Sequence, residues 1–382
     1  MSEVSITEAH LGELRGKFEH VGGASGIGKA IVELIVRKGG RVAFADMDAT
    51  SGDVLETALK QEGFKVTFYK VNVASWLEMK AFFAEVKDSY GRIDLVFANA
   101  GVGDNNLTFQ DLLDADGELA PPDLNVIDVN VNGVIYTSKL ALHYMRQNPQ
   151  PQGGGLVLTG STSSYNERPN LPLYSMAKHG VIGLMRALRQ NAPADSINVG
   201  AIAPGGTQTR LFTSDAASAF RSLGIPVNKA SSVALAAVYL ASIPATNGKA
   251  LTVIGDKFTE VEDSILATQH LWYGQYNTDM ARRASGSFMS TVEIMLRGSW
   301  SDIDLLVGEA TYTDARADAS SLARLPLWDK QVPAILVAEI QMLEAGFQEM
   351  ARVGGVEEVE RTLVLHLQYF CPWGILSRKT CC

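Results

Sequence analysis

The chain is poor in cysteine: three in 382 residues, Cys371, Cys381 and Cys382, all within the last twelve. No disulfide framework can staple the rest, and a reducing, cytoplasmic setting is expected. Histidine is sparse as well. The six are scattered, and no His/Cys/Asp cluster has metal-ligand spacing, so no metal is expected. Positive charge is in deficit, with 33 Lys and Arg against 42 Asp and Glu and a net charge of −9. That balance argues against nucleic acid or an anionic membrane as the main partner. No apolar run reaches the roughly 18 residues that a membrane helix needs, and the opening MSEVSITEAH lacks the basic-then-apolar order of a secretory signal. What remains is 46% hydrophobic and 20% charged, the profile of a globular protein with length for one large domain or two.

Glycine is where the chain begins to speak. The stretch VGGASGIGKA, Val21 to Ala30, sets Gly22, Gly26 and Gly28 just before an amphipathic run. A glycine turn opening a helix lets a dinucleotide pyrophosphate sit against backbone N–H groups. On this spacing Gly22 makes the tight turn, Gly26 lets the backbone approach the phosphates, and Gly28 packs helix against strand. Residues 1–16 read as a solvated lead-in. Strand-like segments then alternate with helical ones: KFEHV, RVAFA, KVTFYKVNV, IDLVFANAG, LVLT, INVGAIA and KALTVIG. The alternation predicts an α/β fold, a Rossmann-type doubly wound parallel sheet. Ligands of such sheets bind at the C-terminal strand ends, where Asp46, Asn72 and Asn99 fall. One helix is expected from about 124 to 147, and another from Tyr174. Leu211, Phe212, Phe220 and Leu223 fit a lid over a substrate.

Tyr174 and Lys178 are four residues apart and share a helix face, and Ser161 lies thirteen residues before Tyr174 at a strand end. A phenol titrates near ~10, so acid–base work near pH 7 needs its phenolate favoured by roughly 4 kcal/mol. A neighbouring Lys⁺ and an oxidised nicotinamide ring can supply that field. The bland alternatives are a packed tyrosine and a solvated lysine, with Ser163 and Ser164 as rivals to Ser161 and His179 as a surface residue.

In order, VGGASGIG, Asp46, NV at 72–73, NAG at 99–101, VNVNG at 129–133, GS at 160–161, YSMAK at 174–178 and PGGTQT at 204–209 resemble the short-chain dehydrogenase/reductase family over residues 11–283. The style is that of fungal members and of NAD-dependent 15-hydroxyprostaglandin-dehydrogenase-like enzymes. The resemblance implies hydride transfer between NAD(H) and a secondary alcohol or ketone, with a place in fungal secondary metabolism and a homodimer or homotetramer. It makes Tyr174 the acid/base, Lys178 the group that lowers its pKa and bonds the nicotinamide ribose, and Ser161 the substrate-orienting hydroxyl. Asn130 would hold a relay water. Gly22, Ser25, Gly26, Ile27 and Gly28 would line the pyrophosphate, Asn72 and Val73 the adenine, Asn99 a ribose, and Thr207 and Thr209 the carboxamide. Asp46 would accept the ribose hydroxyls and repel a 2′-phosphate. With Met47 next and no basic residue at 23–25, NAD is favoured over NADP. Two other functions stay open: an NADP-dependent ketoreductase of a polyketide-like substrate, and a non-catalytic interaction protein on the same fold.

Some positions depart from the family pattern. Val21 stands for the usual Thr, Asn72 for Asp, Ala98 for the first Asn of NNAG and Gly200 for Asn, while the first strand carries Glu19 and His20 where burial is expected. Residues 1–283 are expected to form the Rossmann domain and 284–382 a helical C-terminal extension. In that extension Leu336, Ile340, Leu343, Phe347 and Met350, then Val356, Val359, Leu363, Leu367 and Phe370, make two amphipathic stripes.

Overall fold

A computed structural model describes residues 3–12, 14 and 18–284, and the backbone alone for 18–22. The chain divides into two units, Met1–Gln269 and His270–Cys382. In the second, residues 270–273 and 275–284 are helical. Both predicted stripes and Cys381-Cys382 lie outside the described residues, as do the side chains of Glu19, His20 and Val21.

In the first unit, β1 (Glu3–Val4) precedes β2 (Phe18–Gly22), α1 (Gly26–Arg37), β3 (Arg41–Asp46), α2 (Ala49–Gln61), β4 (Val66–Lys70), α3 (Trp76–Tyr90) and β5 (Leu95–Ala98). A long loop leads to the single turn α4 (Asn125–Ile127) and to α5 (Gly133–Arg146). Then come β6 (Gly154–Thr159), α6 (Pro172–Asn191), β7 (Ile197–Pro204), α7 (Ser214–Ser222), α8 (Ala230–Ser242), β8 (Ala250–Ile254), β9 (Lys257–Glu260) and α9 (Glu262–Ala267). The strands form one sheet in the order β1-β9-β8-β7-β6-β5-β2-β3-β4. Pairing is parallel from β4 through β8 and antiparallel at β8–β9 and β9–β1. Strand order reverses between β2 and β5, so the crevice of a doubly wound sheet opens there.

The pleat sends alternate side chains to opposite faces, and each face has its own apolar core. Val42 and Phe44 of β3, Leu95 and Phe97 of β5 and Val157 of β6 meet Ile31 and Ile35 of α1 and the alanine-rich α8. Their neighbours Ala43, Val96, Leu156 and Leu158 meet Phe82 and Phe83 of α3, Met145 of α5 and Met185 of α6. Both faces are covered, which is why the strands read as continuous apolar runs. Glycines let helix and sheet touch. A Cβ on Gly155 would lie 2.0 Å from the Ala241 carbonyl oxygen of α8.

Three expectations need correction. The lead-in is structured: Ile6, Leu11 and Leu14 are buried in the core beneath α1 and α8, and Glu3–Val4 pairs with β9. Three apolar residues among polar ones show no period, so their burial was not visible as pattern. The sheet also gains β9, a short hairpin partner of β8. Finally, the helix expected over 124–147 is interrupted by a π turn at Asp128–Asn132. The degenerate first strand nevertheless forms. Residues 18–22 pair with β3 and residues 19–21 also with β5, backbone registry overriding a weak local pattern.

Candidate active site

The β2–α1 turn is made by Gly23, at φ +107°, and Gly26, at φ +55°. Gly22 is the last residue of β2, paired with Ala45, so the tight turn falls one residue later than its spacing suggested. A Cβ on Gly26 would come within 2.7 Å of Thr209 Cγ2. Thr209 therefore packs over the turn at the start of α1. Ser25 is the N-cap of α1 but makes no side-chain cap, and the first turn holds no acidic residue. Ile27 and Gly28 follow it in that first turn. A twelve-residue helix with its N-terminal N–H groups left open toward a cleft suits an anion. A nicotinamide dinucleotide fits this cradle by its pyrophosphate.

The cleft has a volume of about 640 Å³ and runs from this turn across the strand ends. Asp46, closing β3, accepts from the Ala24 N–H at 2.6 Å through Oδ2 and from the Asp48 N–H at 2.9 Å through Oδ1. These bonds fix the carboxylate at the rim. Gly23 sits between it and Asn99, whose Nδ2 and the Asp46 Oδ2 would each lie 3.6 Å from an added Cβ. Val71 and Val73 line the cleft. The Asn72 amide oxygen instead accepts from the Ala74 N–H at 3.0 Å, shaping its own loop.

Lys178, Tyr174 and Ser161 converge on the far half. Lys178 is buried and donates from Nζ to the Thr159 carbonyl at 2.8 Å, with Nζ 5.6 Å from the Tyr174 ring centre. Ser161 caps the short turn 162–164, its Oγ accepting from the Ser163 N–H at 3.1 Å, and it hydrogen-bonds Tyr174. Ser164 is spoken for: its Oγ donates to the Lys178 carbonyl at 2.7 Å. His179 is exposed, as expected. Burial raises the Tyr174 phenol above its ordinary 10, the Ser161 hydrogen bond opposing it, and burial lowers Lys178 to about 8. Without the oxidised ring, then, burial shifts both groups toward their uncharged forms.

Asn130 is wholly buried in the π turn. Its Oδ1 accepts from the Val102 N–H at 2.9 Å and its Nδ2 donates to the Val102 carbonyl at 2.9 Å. The amide is thus engaged in clamping the chain after β5. π turns inside helices cluster at functional sites. Thr207 is buried, its hydroxyl donating to the Gly205 carbonyl at 3.0 Å and accepting from Asn228 Nδ2 at 3.2 Å.

Sequence spacing missed several cleft residues. Arg210, in the segment after β7, reaches back to pair with Asp48 and Ser51, holding Asp48 down to about 2. Arg168 lines the far half of the cleft beside Thr162, where the expected Leu211, Phe212 and Phe220 supply apolar wall while Leu223 is exposed. Asp104 accepts from the backbone of Leu173 and Tyr174. None belongs to a local motif; Arg210 does follow directly on PGGTQT, which could have drawn attention to it.

A doubly wound sheet with an open, acid-free helix N-terminus at its switch point and a Ser/Tyr/Lys trio across the same cleft defines a dinucleotide-dependent oxidoreductase. The chain belongs to the short-chain dehydrogenase/reductase family: the family described as short chain dehydrogenase matches residues 20–219. It is 36% identical to the short-chain dehydrogenase/reductase prx4 of Penicillium rubens, over 74% of this chain and 88% of that one. It is 33% identical to ascJ of Acremonium egyptiacum, over 70% and 88%, and 29% identical to the 5'-hydroxyaverantin dehydrogenase of Dothistroma septosporum, over 75% and 99%. Among solved structures it is similar to a 3-ketoacyl-(acyl-carrier-protein) reductase from Brucella melitensis complexed with NADH. That likeness has a TM-score of 0.56 and 25% identity, and covers 64% of this chain and 98% of that one. The protein is an enzyme of the NAD(P)-dependent family, and among the described residues no helix is long and apolar enough to cross a membrane.

Proposed function

We propose that the enzyme moves a hydride between NAD(H) and a secondary alcohol or ketone carried on an apolar frame. The observation that carries this is the convergence of Ser161, Tyr174 and Lys178 on the cleft that Asp46 closes at its other end. Bound nicotinamide supplies or accepts the hydride. In oxidation Tyr174 Oη takes the proton of the substrate hydroxyl as hydride leaves the carbinol carbon; in reduction it returns that proton to the carbonyl oxygen. Ser161 donates to the same oxygen and holds it beside the phenol. Lys178 stabilises the phenolate by charge, which burial alone opposes. Asn130 holds the 101–103 backbone against Lys178, a Gly101 Cβ falling 3.6 Å from its Nζ. Ser25, Gly26, Ile27 and Gly28, with Gly23 making the turn, would receive the pyrophosphate, Asp46 and Asn99 a ribose, Val73 the adenine, and Thr207 the carboxamide, with Thr209 over the turn.

Fungal relatives, one of them named a 5'-hydroxyaverantin dehydrogenase, support a place in fungal secondary metabolism, while a polyketide-like ketone belongs to the alternative of an NADP-dependent ketoreductase. One observation favours NADP as a second reading: Arg210 stands at the adenosine rim, where it could pair with a 2′-phosphate once released from Asp48. The catalytic domain is assigned to 1–283, the enzyme to the cytoplasm, and a homodimer or homotetramer to the exposed faces of α5 and α6, with 284–382 as an extension.

Fluorescence titration with NADH and NADPH separately is the test. Tighter NADH binding is the expected result; tighter NADPH binding transfers the assignment to the Arg210 reading, and binding of neither overturns the enzyme's cofactor site. Tyr174→Phe is expected to lower turnover by about 10²–10⁴ while NADH affinity stays within twofold. Retained turnover would remove Tyr174 from the acid/base role.

A further inference from the structure

The phenol assigned to proton transfer sits in the first turn of α6, the part of a helix most prone to fray. The chain gives that turn no cap of its own. The N-cap position is Leu171, which has no side-chain acceptor, and no local capping bond is present. Pro172 at the first helical position has no N–H, and the Ser175 N–H already bonds the Leu171 carbonyl at 2.8 Å. Two donors are left over, the N–H groups of Leu173 and of Tyr174 itself. Both are taken by one atom from 70 residues away, Asp104 Oδ2, at 2.9 Å and 3.3 Å.

Asp104 is held in place in turn. Its Oδ1 accepts from the Asn106 N–H at 3.1 Å. Two residues earlier, Val102 is clamped through both its N–H and carbonyl by the buried Asn130. Between them, a Cβ on Gly103 would lie 2.9 Å from Leu211 Cδ1 of the lid, so this stretch is also cleft wall. A run of bonds thus leads from the π turn before α5, through the chain after β5, to the backbone of the catalytic tyrosine.

We propose that Asp104 is a positioning residue: its carboxylate is the remote N-cap of α6 and holds the Tyr174 backbone where the phenol meets Ser161 and the substrate oxygen. The assignment rests on Tyr174 being the acid/base. A carboxylate suits the place twice, as acceptor for two N–H groups and as negative charge at a helix N-terminus. Misplacing a reacting group by an ångström can cost about 10²-fold in rate.

Asp104→Ala and Asp104→Asn in the full chain test it. Hydrogen exchange of the peptide spanning 172–176, read by mass spectrometry, needs no substrate. It should be at least about 10-fold faster in Asp104→Ala and closer to wild type in Asp104→Asn, which keeps one acceptor oxygen. With acetophenone as probe ketone, Asp104→Ala should lower kcat about 10-fold and leave KM and NADH affinity within twofold, with partial rescue in Asp104→Asn. Unchanged exchange in Asp104→Ala overturns the cap. Faster exchange with unchanged kcat overturns the positioning role. Asp104→Asn as defective as Asp104→Ala in exchange also overturns it. A Tyr174→Phe enzyme that keeps full turnover marks failure of the acid/base assignment instead, and the exchange result separates the two.

Discussion

Tyr174 and Lys178 show what a residue pair can and cannot announce. Their interval puts them on one helix face, and that much was legible. What burial does to each was not: the structure raises the phenol and brings Lys178 down to about 8 from 10.5. For Lys178 the folded-state pKa lies below the unfolded one, so between about 8 and 10.5 the unfolded chain binds more protons. The stability contributed by this group therefore rises with pH across that window, and its penalty is complete below it. The comparison with Lys178→Met, which has no amine to titrate, isolates the effect. Melting of the cofactor-free proteins at pH 7.5 and pH 10 should show the difference move toward wild type by up to about 3 kcal/mol. A difference independent of pH would mean that Lys178 titrates as an ordinary lysine. Asp104 escaped sequence analysis for a plain reason. A cap supplied from 70 residues away has no local spacing, whereas Asp48 and Ser75, capping α2 and α3 from the adjacent position, follow the familiar rule.

Elements carried most of what was readable, because period and length survive single-residue oddities. The alternation of strands and helices anticipated β2 through β8 and the helices between them except α7, whose stretch was read as a lid over a substrate. It missed the interruption before α5, since a π turn inserts a residue without changing composition. It also placed the start of α6 at Tyr174 rather than at Pro172, overlooking proline's preference for the first helical position. Glycine explains where elements can touch, and this gives two further expectations. In Gly155→Ala the new methyl meets backbone, the Ala241 carbonyl at 2.0 Å, and nothing flexible can yield. Urea unfolding should register a loss of about 3 kcal/mol or more. In Gly26→Ala the methyl meets the end of the Thr209 side chain at 2.7 Å and the backbone holds φ +55°. The fold should survive, with a melting change of about 1–2 kcal/mol, while NADH titration shows affinity lost well beyond what that strain explains. Equal affinity for wild type and Gly26→Ala would detach the turn from cofactor binding.

Across the whole described molecule, the least expected contribution comes from the opening residues. Ile6, Leu11 and Leu14 complete the apolar layer under α1 and α8, and Leu14 is fully buried. Leu14→Ala should cost about 2–5 kcal/mol in denaturant unfolding, as for any large core truncation, and a neutral result would place the residue at the surface. The same segment ends the sheet. β9 pairs on one side with β8 and on the other only with the two residues of β1. Two paired residues close half of a four-residue edge, and a strand that short offers a second molecule little to template upon. The opening residues therefore govern colloidal behaviour as much as folding. A protein shorn of residues 1–7 would keep its catalytic groups and yet present β9 as an open ladder, so its defect should surface as concentration-dependent light scattering rather than as an altered turnover number.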